Sequence, residues 1–210
     1  DVKKAITPHT VLITIMHVNN ETGVIQPVEE IGRIAEQSGV LFHSDTVQSA
    51  GKLPLSLGKT GAALMAFSAH KMYGPKGIGA LYVKSGTPLK PLITGGGHER
   101  GVRAGTENVA GAAGFAKAVP LPGDEGVFDT GRLLRLRDHF EKRLEEAVDG
   151  VHIHGRQAPR IANTSSVSFA AVESESVLLY LDLNGICASA GSACSTGSAA
   201  ASHVLTAMGV

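Results

Sequence analysis

The chain has 210 residues, with 19 basic and 19 acidic side chains and a formal net charge of zero. This length can bury a substantial core, and the balanced charge gives no electrostatic basis for binding nucleic acid or a membrane surface. No apolar run reaches the roughly 18 residues that a membrane-spanning helix needs. The two cysteines do not make a disulfide framework, which favours a reducing compartment, and we expect a cytoplasmic protein.

The first half of the chain predicts a parallel α/β sheet. The nearly continuous apolar run over residues 11–18 is typical of a strand that is covered on both faces. A helix that starts after Pro27 is followed at once by a second strand over 40–43. Strand, helix and strand in this order form a parallel crossover unit. Two further strands are predicted over 62–67 and 77–83.

The second half predicts a smaller α+β unit. Thr106 can cap a helix that runs to about residue 119, and the proline-rich stretch 120–124 then breaks the pattern. Apolar spacing and alternation predict four later elements: a helix over 133–147, a strand over 165–169, a helix over 176–183 and the start of a helix after 202. We therefore expect two domains, 1–127 and 128–210.

Lys71 is the first candidate for chemistry. It follows an apolar strand and precedes a Gly-Pro-Lys-Gly turn, which is where α/β sheets place ligand sites. A partly desolvated lysine amine is a usable nucleophile. Asp45, at the end of the preceding strand, can pair with a pyridinium nitrogen, as pyridoxal phosphate requires. A solvated surface charge for Lys71 and a turn or cap role for Asp45 are the competing interpretations.

The stretch 95–106 is rich in glycine, carries basic residues and leads into a predicted helix. Free backbone N–H groups, a helix N-terminus and the Thr106 hydroxyl together can bind a phosphate. A flexible surface loop with a capping threonine explains the same residues. The sequence leaves both interpretations open.

The two cysteines differ in their surroundings. Cys194 lies in a run of glycine, serine and alanine, which gives a thiol mobility and access and favours a nucleophile. Cys187 is next to Ile186 and is expected to be a packing residue. The six residues between the cysteines do not match common zinc spacings, so we expect no structural metal site. His152 and His154 alternate with apolar residues and are interpreted as strand residues rather than ligands.

Five motifs in chain order resemble one family. They are His17-Val18-Asn19-Asn20-Glu21-Thr22-Gly23, Ser44-Asp45 with Gln48, Ser68-Ala69-His70-Lys71 with Tyr73-Gly74-Pro75-Lys76-Gly77, the 95–106 loop, and Gly191-Ser192-Ala193-Cys194. With them the chain resembles the group I cysteine desulfurases of the NifS/IscS type, in the class V aminotransferase-like fold. The resemblance implies the α/β fold of fold type I pyridoxal-phosphate-dependent transferases. Part of the cofactor-binding large domain would be 1–127, with a mainly parallel sheet, and part of the small α+β C-terminal domain would be 128–210, both incomplete.

The resemblance implies a role for each residue that faces the cofactor ring. Lys71 would hold pyridoxal 5'-phosphate covalently and later move protons. Asp45 would keep the pyridine nitrogen protonated. Gln48 and Asn20 would contact the side of the ring that carries the phenolic oxygen.

The resemblance also implies the phosphate-binding and sulfur-handling residues. Ser68 and His70 would bind the phosphate, and Thr106 would reach the phosphate of the partner subunit in a homodimer. Cys194 would attack the sulfur of the substrate cysteine, which leaves a persulfide and releases alanine. Cys194, Lys71 and His70 are thus the implied catalytic residues, and Cys194 could also transiently ligate an iron–sulfur cluster.

The implied substrate is L-cysteine, and the implied partners are iron–sulfur scaffold or other sulfur-acceptor proteins, in cluster assembly or tRNA thiolation, with no direct nucleic-acid or membrane partner. Two alternatives stay open. Another class V aminotransferase-like enzyme or a selenocysteine lyase would share Lys71 and Asp45 without needing Cys194. A truncated chain that only binds partners would need none of the three. The resemblance predicts an internal fragment that is inactive alone, because the family's N-terminal third lies outside it.

Overall fold

The computed structural model describes residues 1–121, 128–192 and 202–210. They form two compact units, which we call the first unit and the second unit. The first unit comprises Asp1–Val18 and Ile25–Asp129, and the second comprises Asn19–Val24 and Thr130–Val210. The chain therefore leaves the first unit after Val18, contributes the short segment Asn19–Val24 to the second unit, and continues in the first unit from Ile25. That these units are the large and small domains predicted as 1–127 and 128–210 stays a prediction.

A four-stranded sheet in the order β1-β2-β3-β4 forms the centre of the first unit. β1, β2 and β3 are parallel, and β4 pairs antiparallel with β3. In chain order the elements are α1 (Val2–Ala5), β1 (Leu12–Met16), α2 (Val28–Gln37), β2 (Leu41–Asp45), β3 (Leu64–Ser68), β4 (Gly79–Val83) and α3 (Val109–Ala118), with 3-10 helices over Ala69–Met72 and Glu99–Gly101. The mainly parallel α/β sheet predicted from the sequence is confirmed.

Helix α2 covers the sheet of the first unit. It begins after Pro27 and carries two acidic residues in its first turn. Their negative charges stabilise the helix, because they lie at the positive end of its dipole. Its apolar face is buried in a core shared with the strands: Ile13, Val28, Ile31, Ala35, Phe42, Ala62 and Met65. Gly32 lets the helix approach the chain closely, because a Cβ there would lie 1.8 Å from the Thr60 carbonyl oxygen. This packing holds the strands whose ends form the site described below.

The second unit contains a two-stranded antiparallel sheet and three helices among the residues described. Its elements are α4 (Thr130–Ala147), β5 (Val151–Ile153), β6 (Val167–Phe169), α5 (Ser174–Leu183) and α6 (His203–Ala207). The predicted helices and strand of this half are confirmed, with small shifts at their ends. In the described ranges, no helix combines the length and the apolar character that crossing a bilayer requires.

A buried ion pair connects helix α4 to the loop between β5 and β6. The Arg160 guanidinium donates two hydrogen bonds, of 2.7 and 2.8 Å, to the Glu141 carboxylate. The side chains are 5 % and 4 % exposed. Ser165 donates a third bond of 2.8 Å to Glu141. Burial alone would raise the pKa of Glu141, but the bonds from Arg160 and Ser165 and the nearby positive charges lower it below its ordinary value.

Helix α3 is capped by a residue other than the one predicted. The side chain of Asn108 accepts a 2.9 Å hydrogen bond from the Gly111 N–H, and the helix begins at Val109. Thr106 lies two residues before this cap and is exposed. The prediction was wrong because Asn108 lies two residues nearer to the first helical turn, and asparagine is at least as good a capping residue as threonine.

The predicted packing role of Cys187 is also wrong. Cys187 is exposed, and its neighbour Ile186 is 54 % exposed. Both follow the end of helix α5, where Leu183 is exposed as well. His152 lies in β5, as predicted, whereas His154 follows the strand by one residue and is fully buried.

Candidate active site

The ends of three parallel strands bring the predicted cofactor residues of the first unit together. Met16, Asp45 and Ser68 are the last residues of β1, β2 and β3, and Met16 is the register partner of Asp45. His70 and Lys71 come directly after β3. Because parallel strands end at a common edge, these side chains share the edge at which α/β sheets bind ligands.

Lys71 lies in a one-turn 3-10 helix that is anchored by its apolar residues. Ala69 and Met72 in this turn are buried, whereas Lys71 is half-buried. The turn ends on Tyr73, which has a left-handed backbone with φ of 64°. This conformation costs an L-residue roughly 1–2 kcal/mol, and such strain is concentrated at functional sites. The packing therefore holds the Lys71 backbone in place at the strand end.

Ser68 and His70 form a polar pair beside Lys71. The Ser68 Oγ and His70 Nδ1 atoms are 2.8 Å apart, which is hydrogen-bond distance. His70 is exposed and Ser68 is half-buried. A hydroxyl, an imidazole and an amine thus lie within four consecutive residues. All three groups can donate hydrogen bonds to a phosphate.

Asp45 is exposed at the end of β2 and takes part in a turn. Its Oδ1 accepts a 2.9 Å hydrogen bond from the Val47 N–H. The Asp45 carbonyl oxygen accepts a 2.8 Å bond from the His17 N–H. Asp45 therefore has the turn role that the sequence offered as an alternative to a ligand role. It is compatible with a ligand role, since Oδ2 lies outside the bond to Val47.

A buried hydrogen-bond network supports the turn after β2. Thr46 donates from its N–H and its hydroxyl to the Ala66 carbonyl oxygen, at 3.1 and 2.6 Å. His17 Nδ1 lies 2.9 Å from Ser49 Oγ in a buried contact. Burial lowers the pKa of His17, against the opposing effect of the Glu29 charge, so the imidazole is neutral at neutral pH. His17 was assigned no role from the sequence. The signal that could have indicated one is its place as a polar residue near the end of an apolar run, where a buried polar contact is expected.

Lys52 is a second lysine at this edge, and sequence reasoning missed it. Its Nζ donates to Gln48 Oε1 at 3.5 Å. Burial and then the positive charge of Lys71 lower the pKa of Lys52. Because an ammonium group only donates, this contact orients the Gln48 amide so that its Nε2 can donate to another acceptor. The two neighbouring lysines give the edge the positive charge that an anionic ligand requires.

The donor set at the strand ends fits pyridoxal phosphate. The Asp45 carboxylate suits a protonated pyridine nitrogen, and the Lys71 amine suits an aldehyde. The Ser68 hydroxyl and the His70 imidazole suit a phosphate. Four side chains of the first unit thus provide the groups that the ring nitrogen, the aldehyde and the phosphate of this cofactor need.

The remaining predicted site residues lie elsewhere in the chain. Asn20 belongs to the second unit, where its Nδ2 donates a 3.1 Å hydrogen bond to Ser192 Oγ. Thr106 is exposed in the loop before α3, and that loop is exposed over most of its length. Cys194 lies outside the described residues.

The amino-acid sequence matches one family model over nearly its whole length. The family is described as aminotransferase class-V, and the match covers residues 1–208. A protein of Dictyoglomus turgidum named cysteine desulfurase IscS is 48% identical over 210 residues, which are 100% of this chain and 53% of the relative. A protein of the same name from Anaeromyxobacter is 47% identical and is covered over 52% of its length. The chain therefore spans about half the length of the curated relatives it matches.

Solved structures give the same result for the fold. A NifS-like protein from Rickettsia africae superposes with a TM-score of 0.88 at 34% identity, covering 100% of this chain and 55% of that one. A second protein described as NifS-like superposes with a TM-score of 0.87 at 39% identity, with 54% of its length covered. The strand-end donor set, the sequence and the fold of the present chain all agree with these comparisons. The chain belongs to the aminotransferase class-V family, whose members depend on pyridoxal phosphate.

Proposed function

We propose that the full-length protein is a pyridoxal-phosphate-dependent cysteine desulfurase, which converts L-cysteine to L-alanine and an enzyme-bound persulfide. The observation that carries the proposal is the strand-end group of Asp45, Ser68, His70 and Lys71, which fits the cofactor. The relatives named cysteine desulfurase, among them one that is 48% identical, support the choice of substrate within the family. Cys194 supplies the thiol that this reaction needs.

The strand-end residues hold the cofactor and move protons. When bound, the cofactor supplies an electron sink for the electron pair left at the substrate Cα. The Lys71 amine holds the cofactor, and it takes the Cα proton and returns it to the substrate. The Asp45 carboxylate accepts a hydrogen bond from the ring nitrogen and keeps it protonated. Ser68 and His70 bind the phosphate and orient the reacting atoms.

Cys194 carries out the sulfur transfer. Its thiolate attacks the substrate sulfur, so that a new S–S bond forms and the substrate Cβ–S bond breaks. The electron pair of the broken bond stays on the substrate carbon, which takes up a proton and becomes the methyl group of alanine. A nucleophile on the protein divides the transfer into two easier steps, persulfide formation and delivery to an acceptor.

The partners follow from the same proposal. The full-length protein is a homodimer in which Thr106 reaches the phosphate of the cofactor bound to the partner subunit. Its acceptors are iron–sulfur scaffold or other sulfur-accepting proteins, in cluster assembly or tRNA thiolation, and it acts in the cytoplasm. The reduced state of Cys187 and Cys194 that such a role requires fits a chain with only two cysteines.

The test is turnover by the purified full-length protein. Incubation with L-cysteine is expected to give alanine in proportion to sulfide, and mass spectrometry is expected to locate a persulfide on Cys194. Alanine release from selenocysteine only, or transamination without sulfide, would assign a different class V activity. A protein that shows no cofactor absorbance and only binds sulfur acceptors would contradict an enzymatic role.

A further inference from the structure

Gln48 and Lys52 lie four residues apart in the connection that follows β2. The backbone of this connection forms successive hydrogen-bonded turns. The Ser49 N–H and the Ala50 N–H donate to the Thr46 carbonyl oxygen, at 3.0 and 2.8 Å. The Lys52 N–H donates to the Ser49 carbonyl oxygen at 3.0 Å. Because Thr46, Ser49 and Ala50 are also buried, the backbone that carries the two side chains is fixed in place.

Side-chain contacts connect these turns to the strand ends. The Ser49 hydroxyl donates its single proton to the Thr46 carbonyl oxygen at 3.1 Å, so it accepts from the Nδ1–H of His17 at 2.9 Å. The backbone N–H of His17 donates to the Asp45 carbonyl oxygen at 2.8 Å. Asp45 and Gln48 are therefore held on one well-anchored turn.

The Lys52 ammonium group selects one orientation of the Gln48 amide. Its Nζ atom donates to Gln48 Oε1 at 3.5 Å, and both side chains are half-buried. An ammonium group has donors only, so the reversed amide would place the Nε2 donors of Gln48 against other donors. Partial burial strengthens this preference relative to water. The Nε2 group of Gln48 is thus kept as a donor for a ligand.

Pyridoxal phosphate has a further acceptor, its phenolic oxygen, beyond the groups that the four strand-end side chains suit. Asp45 suits the ring nitrogen, Lys71 the aldehyde, and Ser68 and His70 the phosphate. The phenolic oxygen is bonded to the ring carbon next to the carbon that carries the aldehyde. A donor for this oxygen therefore has to lie near Lys71, and in its ionised form the oxygen is an acceptor only.

The Gln48–Lys52 pair lies in this neighbourhood. Burial and then the positive charge of Lys71 lower the pKa of Lys52, so the two amines are within electrostatic reach of each other. Gln48 follows Asp45 by three residues on the same turn. The amide is thus linked to both residues that suit the cofactor ring, through the turn to Asp45 and through Lys52 to Lys71.

We propose that Lys52 is a positioning residue for the cofactor, because it holds the Gln48 amide in the orientation in which Nε2 donates to the phenolic oxygen. The proposal rests on the proposed function, in which the strand ends bind pyridoxal phosphate. A fixed donor at this oxygen favours its ionised form and tightens binding. Lys52 acts in this role through Gln48 alone and touches neither the ring nor the substrate.

The experiment titrates the full-length apoprotein with pyridoxal 5'-phosphate and measures the dissociation constant and the absorbance spectrum. Lys52→Met keeps an unbranched apolar side chain and removes the ammonium group, so we expect about tenfold weaker binding. We also expect the ratio of long- to short-wavelength absorbance at neutral pH to fall about threefold, since the ionised phenolic oxygen absorbs at longer wavelength. Lys52→Arg keeps a group with donors only and is expected to stay within about twofold of the wild type. The matched control is Lys59→Met, which removes an exposed lysine of the same connection and is expected to change neither quantity.

Two further titrations test whether Lys52 acts through Gln48 on the phenolic oxygen. With 3-deoxypyridoxal 5'-phosphate, which lacks this oxygen, the wild type and Lys52→Met are expected to bind within about twofold of each other. In a Gln48→Met background, adding Lys52→Met is expected to change the dissociation constant by less than about twofold.

A tenfold effect of Lys52→Met that persists with the deoxy analogue or without Gln48 would overturn the proposal, because the charge would then act on another part of the ligand. Wild-type binding and absorbance in Lys52→Met would overturn it as well, and so would equal losses in Lys52→Met and Lys52→Arg. A wild-type protein that binds the cofactor as expected but makes no persulfide from L-cysteine would refute the desulfurase function alone, since these titrations contain no substrate.

Discussion

At the scale of single residues, Lys71 is distinguished by its setting. It is half-buried in a turn whose other side chains anchor it at the end of β3, beside the Ser68–His70 pair. The nearby Lys52 shows that a second amine lies within electrostatic reach. An experiment that assigns the lysine attached to the cofactor therefore has to distinguish Lys71 from Lys52. The sequence spacing did not reveal that these two lysines are neighbours.

Lys71→Ala in the full-length protein is expected to abolish covalent attachment of the cofactor, because an alanine has no amine to react with an aldehyde. The measurement is borohydride reduction, followed by peptide mapping of the fixed cofactor. Lys76→Ala, which changes an exposed lysine of the next turn, is the matched control and is expected to keep wild-type labelling. Cofactor mapped to Lys52, Lys76 or Lys84 in the wild-type protein would contradict the assignment.

Cys194→Ser separates the two halves of the proposed reaction. Cofactor absorbance and cysteine binding are expected to persist, since they depend on Lys71 and Asp45. Sulfide and protein persulfide are expected to vanish, because a hydroxyl is negligibly ionised at neutral pH, whereas a thiol has an ordinary pKa of about 8.5. Persulfide mass spectrometry and a sulfide assay provide the measurement.

Cys187→Ser is the control for that prediction. Cys187 is exposed, so the loss of its sulfur removes no buried contact, and wild-type turnover is expected. A persulfide located on Cys187, or normal turnover in Cys194→Ser, would show that another residue carries the sulfur.

At the scale of elements, helix α4 combines an amphipathic pattern with a buried charge. The pattern predicts the helix correctly, but the sequence does not distinguish Glu141 from the exposed glutamates around it. In the structure, Glu141 accepts three hydrogen bonds from Arg160 and Ser165. These bonds connect the helix to the loop that also contacts the Asn19–Val24 turn.

Glu141→Ala is expected to lower the free energy of unfolding by about 3–5 kcal/mol, because it leaves the Arg160 charge buried without a partner. Chemical denaturation of the full-length protein, followed by circular dichroism, measures the change. Glu146→Ala breaks an exposed pair with Lys142 at 3.7 Å and is expected to cost less than about 1 kcal/mol. Equal effects of the two substitutions would contradict the structural role of the buried pair.

At the scale of the whole molecule, two buried histidines make stability depend on pH. Burial lowers the pKa of His17 and, together with the charge of His152, that of His154. Neither ring nitrogen of the fully buried His154 has a hydrogen-bond partner among the described residues. Each folded imidazole therefore releases its proton more readily than the unfolded chain does, and acid favours unfolding.

The contribution of these two histidines to the free energy of unfolding is expected to be constant above the ordinary histidine pKa of 6.5. It is expected to fall as the pH drops below that value, by up to about 1.4 kcal/mol per pH unit for each group, until the folded pKa is passed. His154→Leu removes one of these groups and no side-chain hydrogen bond that the described part of the chain makes. Denaturation curves at pH 7.5 and about 5.5 are expected to differ less in this variant than in the wild type, and an unchanged difference would exclude His154 as a source.

Most of the sheet was predictable from the sequence because local patterns determine it. Apolar runs, the helix signals after Pro27 and the order of strand, helix and strand are properties of neighbouring residues, and a right-handed parallel crossover follows from them. Asp45 and Lys71 were predicted as strand-end residues for the same reason, and the structure places them there. The cap of α3 was not predicted, because two capping residues lie close together and the difference between them is small.

Contacts between distant residues required the tertiary structure. The bonds from Asn20 to Ser192 and from Ser202 to Glu21 join positions 172 and 181 residues apart. The charge of Lys71, which follows β3, acts on Lys52, which lies in the connection between β2 and β3. No pattern of neighbouring residues contains such pairs, because burial and desolvation are properties of the packed chain. The residue types and their order thus indicate the family and its chemistry, whereas packing selects which glutamate, histidine and lysine are buried and what each one contacts.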